Sequence, residues 1–130
     1  QYFSEIEIEF NKASEPFTYP VDQELFEIVL MNILTNAIRY KGHRDPKLII
    51  QGRRDRQFFL LEFIDNGIGI EKHELKNIFK KLYQVGRTTK GSGLGLYITQ
   101  NIIKMHKAEI SAKSEGLGHG TTIVLKFKAR

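Results

Sequence analysis

The stretch LMNILTNAIRY, residues 30 to 40, sets two asparagines into an apolar helical pattern. Apolar residues recur there at three- and four-residue spacing and Asp22 is a good N-cap, so residues 23 to 40 are predicted to form one long helix. Asn32 and Asn36 share one face of it. Burying an unpaired carboxamide is costly, so both side chains need partners. Two interpretations stay open: hydrogen bonds to loop backbone, or a Mg²⁺ site completed by phosphates and water.

The rest of the chain mixes strand and helix patterns without strict alternation. Strands are predicted at EIEIEF (residues 5 to 10, half-buried), KLIIQGR and FFLLEFID (a hairpin around the turn 54–57), EISAKS and TTIVLKF. A short helix is predicted at 71–80 and an amphipathic helix at LGLYITQNIIKMH, residues 94 to 106. This order predicts an α+β fold, a two-layer sandwich in which about three helices cover one face of a mixed, mainly antiparallel sheet.

The composition is that of one ordinary globular domain. The chain has 130 residues, 41% hydrophobic and 27% charged, with no cysteine for disulfides or thiolate zinc sites. No apolar run approaches the roughly 18 residues of a membrane span. The chain begins at Gln1 rather than methionine, so we expect residues 1–130 to be a single domain taken from a longer protein.

The charge is unevenly distributed along the chain. The net charge is +5, and residues 39–56 hold many lysines and arginines against Asp45 and Asp55. A phosphate-bearing partner and a merely solvated basic loop and hairpin both explain this bias.

A second group of polar residues is Asp65-Asn66-Gly67-Ile68-Gly69. Asp65 follows the apolar run FFLLEFI, so it should lie near the inner end of a buried strand and need a donor, such as the exocyclic amino group of a base. Gly67 and Gly69 would let the backbone pass close to a flat ligand. The alternative is a plain turn.

The stretch TTKGSGLGLYIT, residues 88 to 99, places glycines at alternate positions before a helical pattern. Such glycines indicate either a sharp turn with positive φ or bare N–H groups approaching an anion at a helix N-terminus. The phosphate-loop pattern GxxxxGK[ST] and the dinucleotide pattern GxGxxG are both absent. The four histidines show no paired metal-ligand spacing.

Together, these segments resemble the catalytic ATP-binding domain of sensor histidine kinases, in the Bergerat-fold (GHKL) group that includes gyrase and mismatch-repair ATPases. LMNILTNAIRY is similar to the N box, DNGIG to the G1 box, IFKKLYQ to the F box, GSGLGL to the G2 box and GHGTT to the last glycine motif. The resemblance runs from about Ile6 to Phe127, and five motifs in the right order make it specific.

The resemblance implies a role for each matching position. Asn36 would coordinate Mg²⁺, Asn32 would position metal or phosphate, and Asp65 would accept the adenine amino group with help from Thr121 through water. Arg39 stands where the family usually has a lysine that contacts the phosphates. Residues 80–93 would form a mobile lid, and the other residues assigned to the nucleotide are Tyr40, Gly67, Gly69, Ile70, Phe79, Lys90, Gly91, Gly93, Leu94, Gly95 and Leu96.

Two positions depart from the family pattern. Lys81, a candidate catalytic residue, stands where the family often has an arginine. Bidentate hydrogen bonding to a phosphate is therefore not expected of it. His106-Lys107-Ala108 replaces a histidine and two glycines, which leaves the usual glycine C-cap of the second helix unfilled.

The function implied by the resemblance is binding of Mg-ATP and donation of its γ-phosphate to a histidine on a separate dimerisation domain, with a response regulator downstream. Gyrase-like relatives typically have a water-activating glutamate at the position of Asn32, so little hydrolysis is expected. No histidine of this chain has the acceptor's usual setting, so the isolated domain should not phosphorylate itself. We expect a cytoplasmic monomer without nucleic-acid or membrane contacts, whose parent protein can be anchored in the inner membrane.

Two other functions compete with this one. The first is a nucleic-acid or protein-interaction module with a degenerate nucleotide site, using Arg39 to Arg56 as its surface. Those cations lack the interleaved aromatic residues of single-strand binders. The second, a hydrolysing ATPase fragment of the same group, is disfavoured by Asn32.

Overall fold

The computed structural model describes residues 5–13, 15–83 and 93–129, which form one five-stranded sheet with its helices on one face. The sheet order is β1-β2-β3-β5-β4; β1 and β2 pair in parallel and the other pairs are antiparallel. This confirms the predicted α+β sandwich. The elements are β1 Glu7–Asn11, α1 Gln23–Arg39, β2 Lys47–Asp55, β3 Phe58–Asp65, a 3₁₀ helix Lys72–Asn77, α2 Gly95–Met105, β4 Glu109–Lys113 and β5 Thr122–Lys128.

The core lies between the sheet and the two α-helices. Alternate residues of the central strands face the helices, and Leu48, Phe63 and Leu125 are almost fully buried there. Val29 of α1 and Ile103 of α2 have no exposed surface and pack against them. No helix within the described ranges has the length and apolarity needed to cross a membrane.

Three local predictions were wrong. β2 runs to Asp55, so the hairpin turn is the two residues Arg56 and Gln57 rather than four; Arg56 takes the positive φ of 57° that such tight turns need. The helix predicted at 71–80 is only a 3₁₀ helix. Its N-cap Glu71 makes no side-chain capping bond, and the Glu74 N–H donates to the Glu71 carbonyl at 2.9 Å, the three-residue spacing of 3₁₀ structure.

The third wrong prediction is that the first strand, β1, is half-buried. The strand itself forms, but all five of its residues are exposed, including Phe10 at 69%. Among the described residues, β1 is the outermost strand of the sheet and pairs with β2 on one side only. Ile6, just before the strand, is the residue of the EIEIEF stretch that enters the core.

The first α-helix begins where the second one ends. The backbone N–H of Asp22, the N-cap of α1, donates to Nε2 of His106 at 2.9 Å, and the Tyr19 hydroxyl donates to the His106 carbonyl at 2.6 Å. Nδ1 of His106 lies 2.7 Å from the carbonyl of Ile102. Because a backbone N–H can only donate, Nε2 is the accepting nitrogen and Nδ1 carries the proton. His106 thus joins the two helices at this end.

The last turn of α2 closes with a Schellman motif despite its missing glycine. Lys107 adopts the left-handed conformation with φ 59°, its N–H donates to Lys104, and the N–H of Ala108 donates to Ile103 at 3.1 Å. Because a residue with a side chain is strained in this conformation, the replacement of the family's glycine costs stability. The hydrogen bonds that close the helix are nevertheless formed.

Replacing Lys107 with glycine is therefore expected to raise the free energy of unfolding by about 1 kcal/mol, since glycine adopts this conformation without strain. Chemical denaturation of both proteins checks this. Lys104→Gly, inside the same helix, serves as the control and should lower stability by a similar amount. A Lys107→Gly protein no more stable than the parent would contradict the assignment of strain.

Candidate functional site

A cleft opens between α1, the start of α2 and the inner face of the sheet. It brings together most of the residues singled out from the sequence: Asn32, Asn36, Arg39, Tyr40, Asp65, Gly69, Ile70, Gly93, Gly95, Leu96 and Thr121. Apolar side chains from every surrounding element complete the lining, including Ile33, Ile68, Ile78, Tyr83 and Ile123. The cleft therefore has apolar walls with a few polar groups, the usual character of a small-molecule site.

Four other predicted residues, all within the described ranges, do not line this cleft. Phe79 packs against the core, and Lys81 places its ammonium 6.0 Å from the ring centre of Tyr97. Leu94 precedes α2 as its N-cap, and its carbonyl accepts the N–H of Ile98. Gly67 faces the backbone of the α1 end. Lys90 and Gly91 lie outside the described residues, as does most of the predicted lid.

Asp65 ends β3 at the bottom of the cleft. Its Oδ1 accepts the N–H of Gly67 at 2.9 Å and the N–H of Thr121 at 3.0 Å, and no hydrogen bond to Oδ2 occurs within the described residues. Burial raises the pKa of this carboxyl above its ordinary value of 3.8, and the two N–H donors only partly offset that effect. The site thus holds one carboxylate oxygen fixed and offers the other as an acceptor.

The glycines after Asp65 allow neighbouring loops to pack closely. A Cβ on Gly67 would lie 2.4 Å from the carbonyl oxygen of Tyr40, and one on Gly69 would lie 2.2 Å from that of Gly116. That the backbone of these glycines also passes close to a flat ligand stays a prediction. Gly120 is the tightest case: with φ 70°, its Cβ would lie 2.1 Å from the Asp65 carbonyl oxygen.

The two asparagines of α1 have different partners. The Asn32 amide donates to the carbonyl of Gly95 at 3.1 Å and to the hydroxyl of the fully buried Thr99 at 3.2 Å, which ties α1 to the first turn of α2. Oδ1 of Asn36 instead accepts from Nη1 of Arg39 at 2.9 Å. The backbone-bonding interpretation therefore describes Asn32, and Asn36 presents its oxygen to a cation.

Among the alternating glycines that lie within the described residues, Gly93 is in a conformation that requires glycine. It has φ 74°, its carbonyl accepts the N–H of Leu82 at 2.8 Å, and a Cβ would lie 2.9 Å from the backbone of Leu82. Gly95 is already helical and has room for a Cβ at 3.6 Å from Asn32. The sharp turn with positive φ predicted for these glycines is thus found at Gly93 and not at Gly95.

Two residues that sequence reasoning missed hold the loops beneath the cleft. Ser114 Oγ accepts the N–H of Ile70 at 3.1 Å and donates to the carbonyl of Gly120 at 2.6 Å. The Arg44 guanidinium donates to the carbonyl of Asn66 at 2.8 Å and to that of Gly118 at 2.7 Å. The sequence indicated these roles only through the position of both residues beside glycine-rich segments, because their hydrogen-bond partners lie far away along the chain.

Residues 21–130 match the family model described as histidine kinase-, DNA gyrase B-, and HSP90-like ATPase. The sensor protein RprX of Bacteroides fragilis is 34% identical over 119 residues, covering 88% of this chain and 22% of that protein. Among solved structures, the mycobacterial sensor histidine kinase MprB aligns with a TM-score of 0.84 at 23% identity, over 99% of this chain and 87% of that one. Full-length ShkA in complex with AMPPNP aligns with a TM-score of 0.78 at 22% identity, over 96% of this chain and 26% of that one.

The chain belongs to this ATPase family. Within the family it is a catalytic-domain homologue of the sensor histidine kinases, as the sequence motifs predicted. The chain spans about a fifth of the length of the curated relatives it matches.

Proposed function

We propose that this domain binds Mg-ATP in the cleft and presents the γ-phosphate to a histidine on a separate dimerisation domain of the parent kinase. The observation that carries the proposal is Asp65, a half-buried carboxylate in the cleft with one oxygen fixed by Gly67 and Thr121 and the other available to a donor. An exocyclic amino group is a suitable donor, and a buried acceptor of this kind strongly favours the ligand that satisfies it.

The polar groups of the cleft support one orientation of the nucleotide. Asp65 is bonded to the backbone of Thr121 and lines the cleft together with apolar side chains suited to a flat base. A second set consists of Arg39, which is bonded to Asn36, and of the first turn of α2, which is bonded to Asn32. A helix N-terminus and a guanidinium both attract phosphates, so the triphosphate would lie beside this second set. The AMPPNP bound to ShkA, a neighbour in fold, agrees with a nucleotide ligand.

The chemistry of the donor atoms fits Mg²⁺. The Asn36 oxygen is a hard ligand of the kind Mg²⁺ prefers, and Mg²⁺ in phosphate sites commonly uses only one or two protein oxygens. In this structure that oxygen accepts a hydrogen bond from Arg39 at 2.9 Å. When bound, the ion would neutralise charge on the phosphates during transfer. Arg39 would supply further positive charge, and a contribution from Lys81, which does not line the cleft in this structure, stays a prediction from the sequence.

The neighbouring Asn32 argues for transfer over hydrolysis. Its amide is occupied by Gly95 and Thr99, and a carboxamide has no basic electron pair with which to activate water. The domain would therefore retain ATP until a better nucleophile arrives. In the parent protein that nucleophile would be the histidine of the dimerisation domain, with a response regulator as the next acceptor.

We infer the setting of the domain from the same function. ATP supply implies a cytoplasmic location, with residues 1–130 as one catalytic domain of a longer kinase that supplies dimerisation elsewhere. The isolated domain would be monomeric. Nucleic-acid binding is disfavoured because the cations of residues 39–56 are dispersed: Arg39 lines the cleft, Arg44 bonds backbone, and Arg53 pairs with Glu62 on the opposite face of the sheet at 3.3 Å.

Titration of the purified domain by calorimetry tests the proposal. ATP should bind in the presence of Mg²⁺, GTP should compete at least about tenfold more weakly because it lacks the amino donor at that position, and phosphate release should not exceed the buffer blank. Salt-sensitive DNA binding that ATP does not affect, without any nucleotide binding, would overturn the proposal in favour of an interaction module.

A further inference from the structure

We infer that Arg39 holds the side-chain oxygen with which Asn36 would bind a metal ion, and thereby makes nucleotide binding only weakly dependent on Mg²⁺. The inference rests on the proposed function and concerns how this particular chain carries it out. Its basis is the 2.9 Å hydrogen bond from Nη1 of Arg39 to Oδ1 of Asn36, with both residues lining the cleft.

The geometry is built into the last turn of α1. The two residues lie three apart, so their side chains meet on one face of the helix. No other partner of the Asn36 side chain occurs within the described part of the chain. The guanidinium therefore already occupies the direction from which this oxygen would be offered to a metal ion.

Arginine can hold this oxygen and a phosphate at the same time. Its planar group carries five N–H donors, so one edge can keep Asn36 while other donors reach an anion. In this state the guanidinium supplies positive charge beside the phosphates without a metal ion. A Mg²⁺ ion seeking the same oxygen would be placed against a fixed cation, which opposes its binding.

Lysine in the same position would behave differently. Its ammonium is a compact, strongly hydrated point charge on a flexible stem, and it has no rigid fork with which to hold Asn36 while contacting phosphate. The oxygen would then be released to the metal. The arginine at position 39 is thus a determinant of metal dependence, independent of the recognition of the base by Asp65.

The test measures ADP affinity by calorimetry with Mg²⁺ and with EDTA, and compares the ratio of the two dissociation constants. In the parent protein the ratio should stay below about threefold, and in Arg39→Lys it should exceed about tenfold because Mg²⁺ gains the Asn36 oxygen. Adding Asn36→Ala to Arg39→Lys should return the ratio to near one, which assigns the metal effect to this oxygen. Arg54→Lys, the same chemical change in the distant hairpin, should leave the ratio unchanged.

The possible outcomes distinguish failure of the inference from failure of the proposed function. An equal ratio in the parent and Arg39→Lys proteins overturns the inference while leaving ADP binding, and with it the proposed nucleotide site, in place. Absence of ADP binding by every variant in both buffers overturns the proposed function and the inference together. Arg39→Met, whose side chain has no donor for the Asn36 oxygen, provides the same comparison if the lysine variant does not fold.

Discussion

Asp65→Asn is expected to weaken ATP binding about a hundredfold, because the free carboxylate oxygen becomes an amide nitrogen that meets the adenine amino group donor to donor. Oδ1 of the asparagine can still accept the N–H groups of Gly67 and Thr121, so the loop should keep its shape. Calorimetric titration with Mg-ATP measures the loss. Asp55→Asn, the same change at an exposed strand end, should bind like the parent.

The same substitution should not destabilise the empty domain at neutral pH. Burial raises the folded pKa of Asp65 above its ordinary value of 3.8, so the charged form is disfavoured in the folded state. The parent therefore loses stability relative to Asp65→Asn as the pH rises through the interval between those two values. Thermal unfolding should show a variant at least as stable at pH 7, with the difference vanishing in acid. A large loss of stability at pH 7 would mean that the carboxylate is structural, and would contradict its assignment to a ligand.

Gly120→Ala is expected to destabilise the fold by about 3 kcal/mol, combining a left-handed backbone with overpacking. The added Cβ would lie 2.1 Å from the carbonyl oxygen of Asp65, and the atoms it meets are all backbone atoms of Asp65 and Asn66, which have little room to move. Chemical denaturation measures the loss, and nucleotide binding should fall with it because the Asp65 loop must shift.

Gly118→Ala is the matched control for this experiment. Gly118 also has a positive φ, of 87°, but a Cβ there would meet nothing within 4 Å. Gly118→Ala should lower the free energy of unfolding only by the conformational strain, about 1 kcal/mol. Equal losses at both positions would show that the contact with Asp65 carries no energy of its own.

The overall fold and the central residues of the cleft could be predicted because their signals are local. The spacing of apolar residues predicts α1, and an aspartate directly after a buried strand must find donors at that strand end. The 3₁₀ helix at Lys72–Asn77 could not be read in this way, since its periodicity resembles that of an α-helix and its missing cap is a matter of geometry.

The supporting contacts escaped prediction for a different reason. Ser114 and Ile70 are 44 residues apart, and Arg44 and Gly118 are 74 apart, so no short pattern joins them. The glycines after Asp65 were predicted to allow close approach of a ligand, and what approaches Gly67 in the structure is the chain's own backbone. The bond between Arg39 and Asn36 depends on a rotamer, which the sequence does not contain. The roles of individual residues towards nucleotide stay predictions.

The junction at His106 has a mechanical consequence for the cleft. The helices that form its two sides are fastened together at the start of α1 and the end of α2, whereas at the opposite end of α2 they meet through the polar contact of Asn32 with Gly95. If α2 pivots at its fastened end, its first residue lies about 16 Å away along the axis, so a rotation of about 5° displaces it by about 1.4 Å. That distance is enough to break the amide contact. The width of the cleft can therefore change through a small angle, with the core around Ile103 remaining packed.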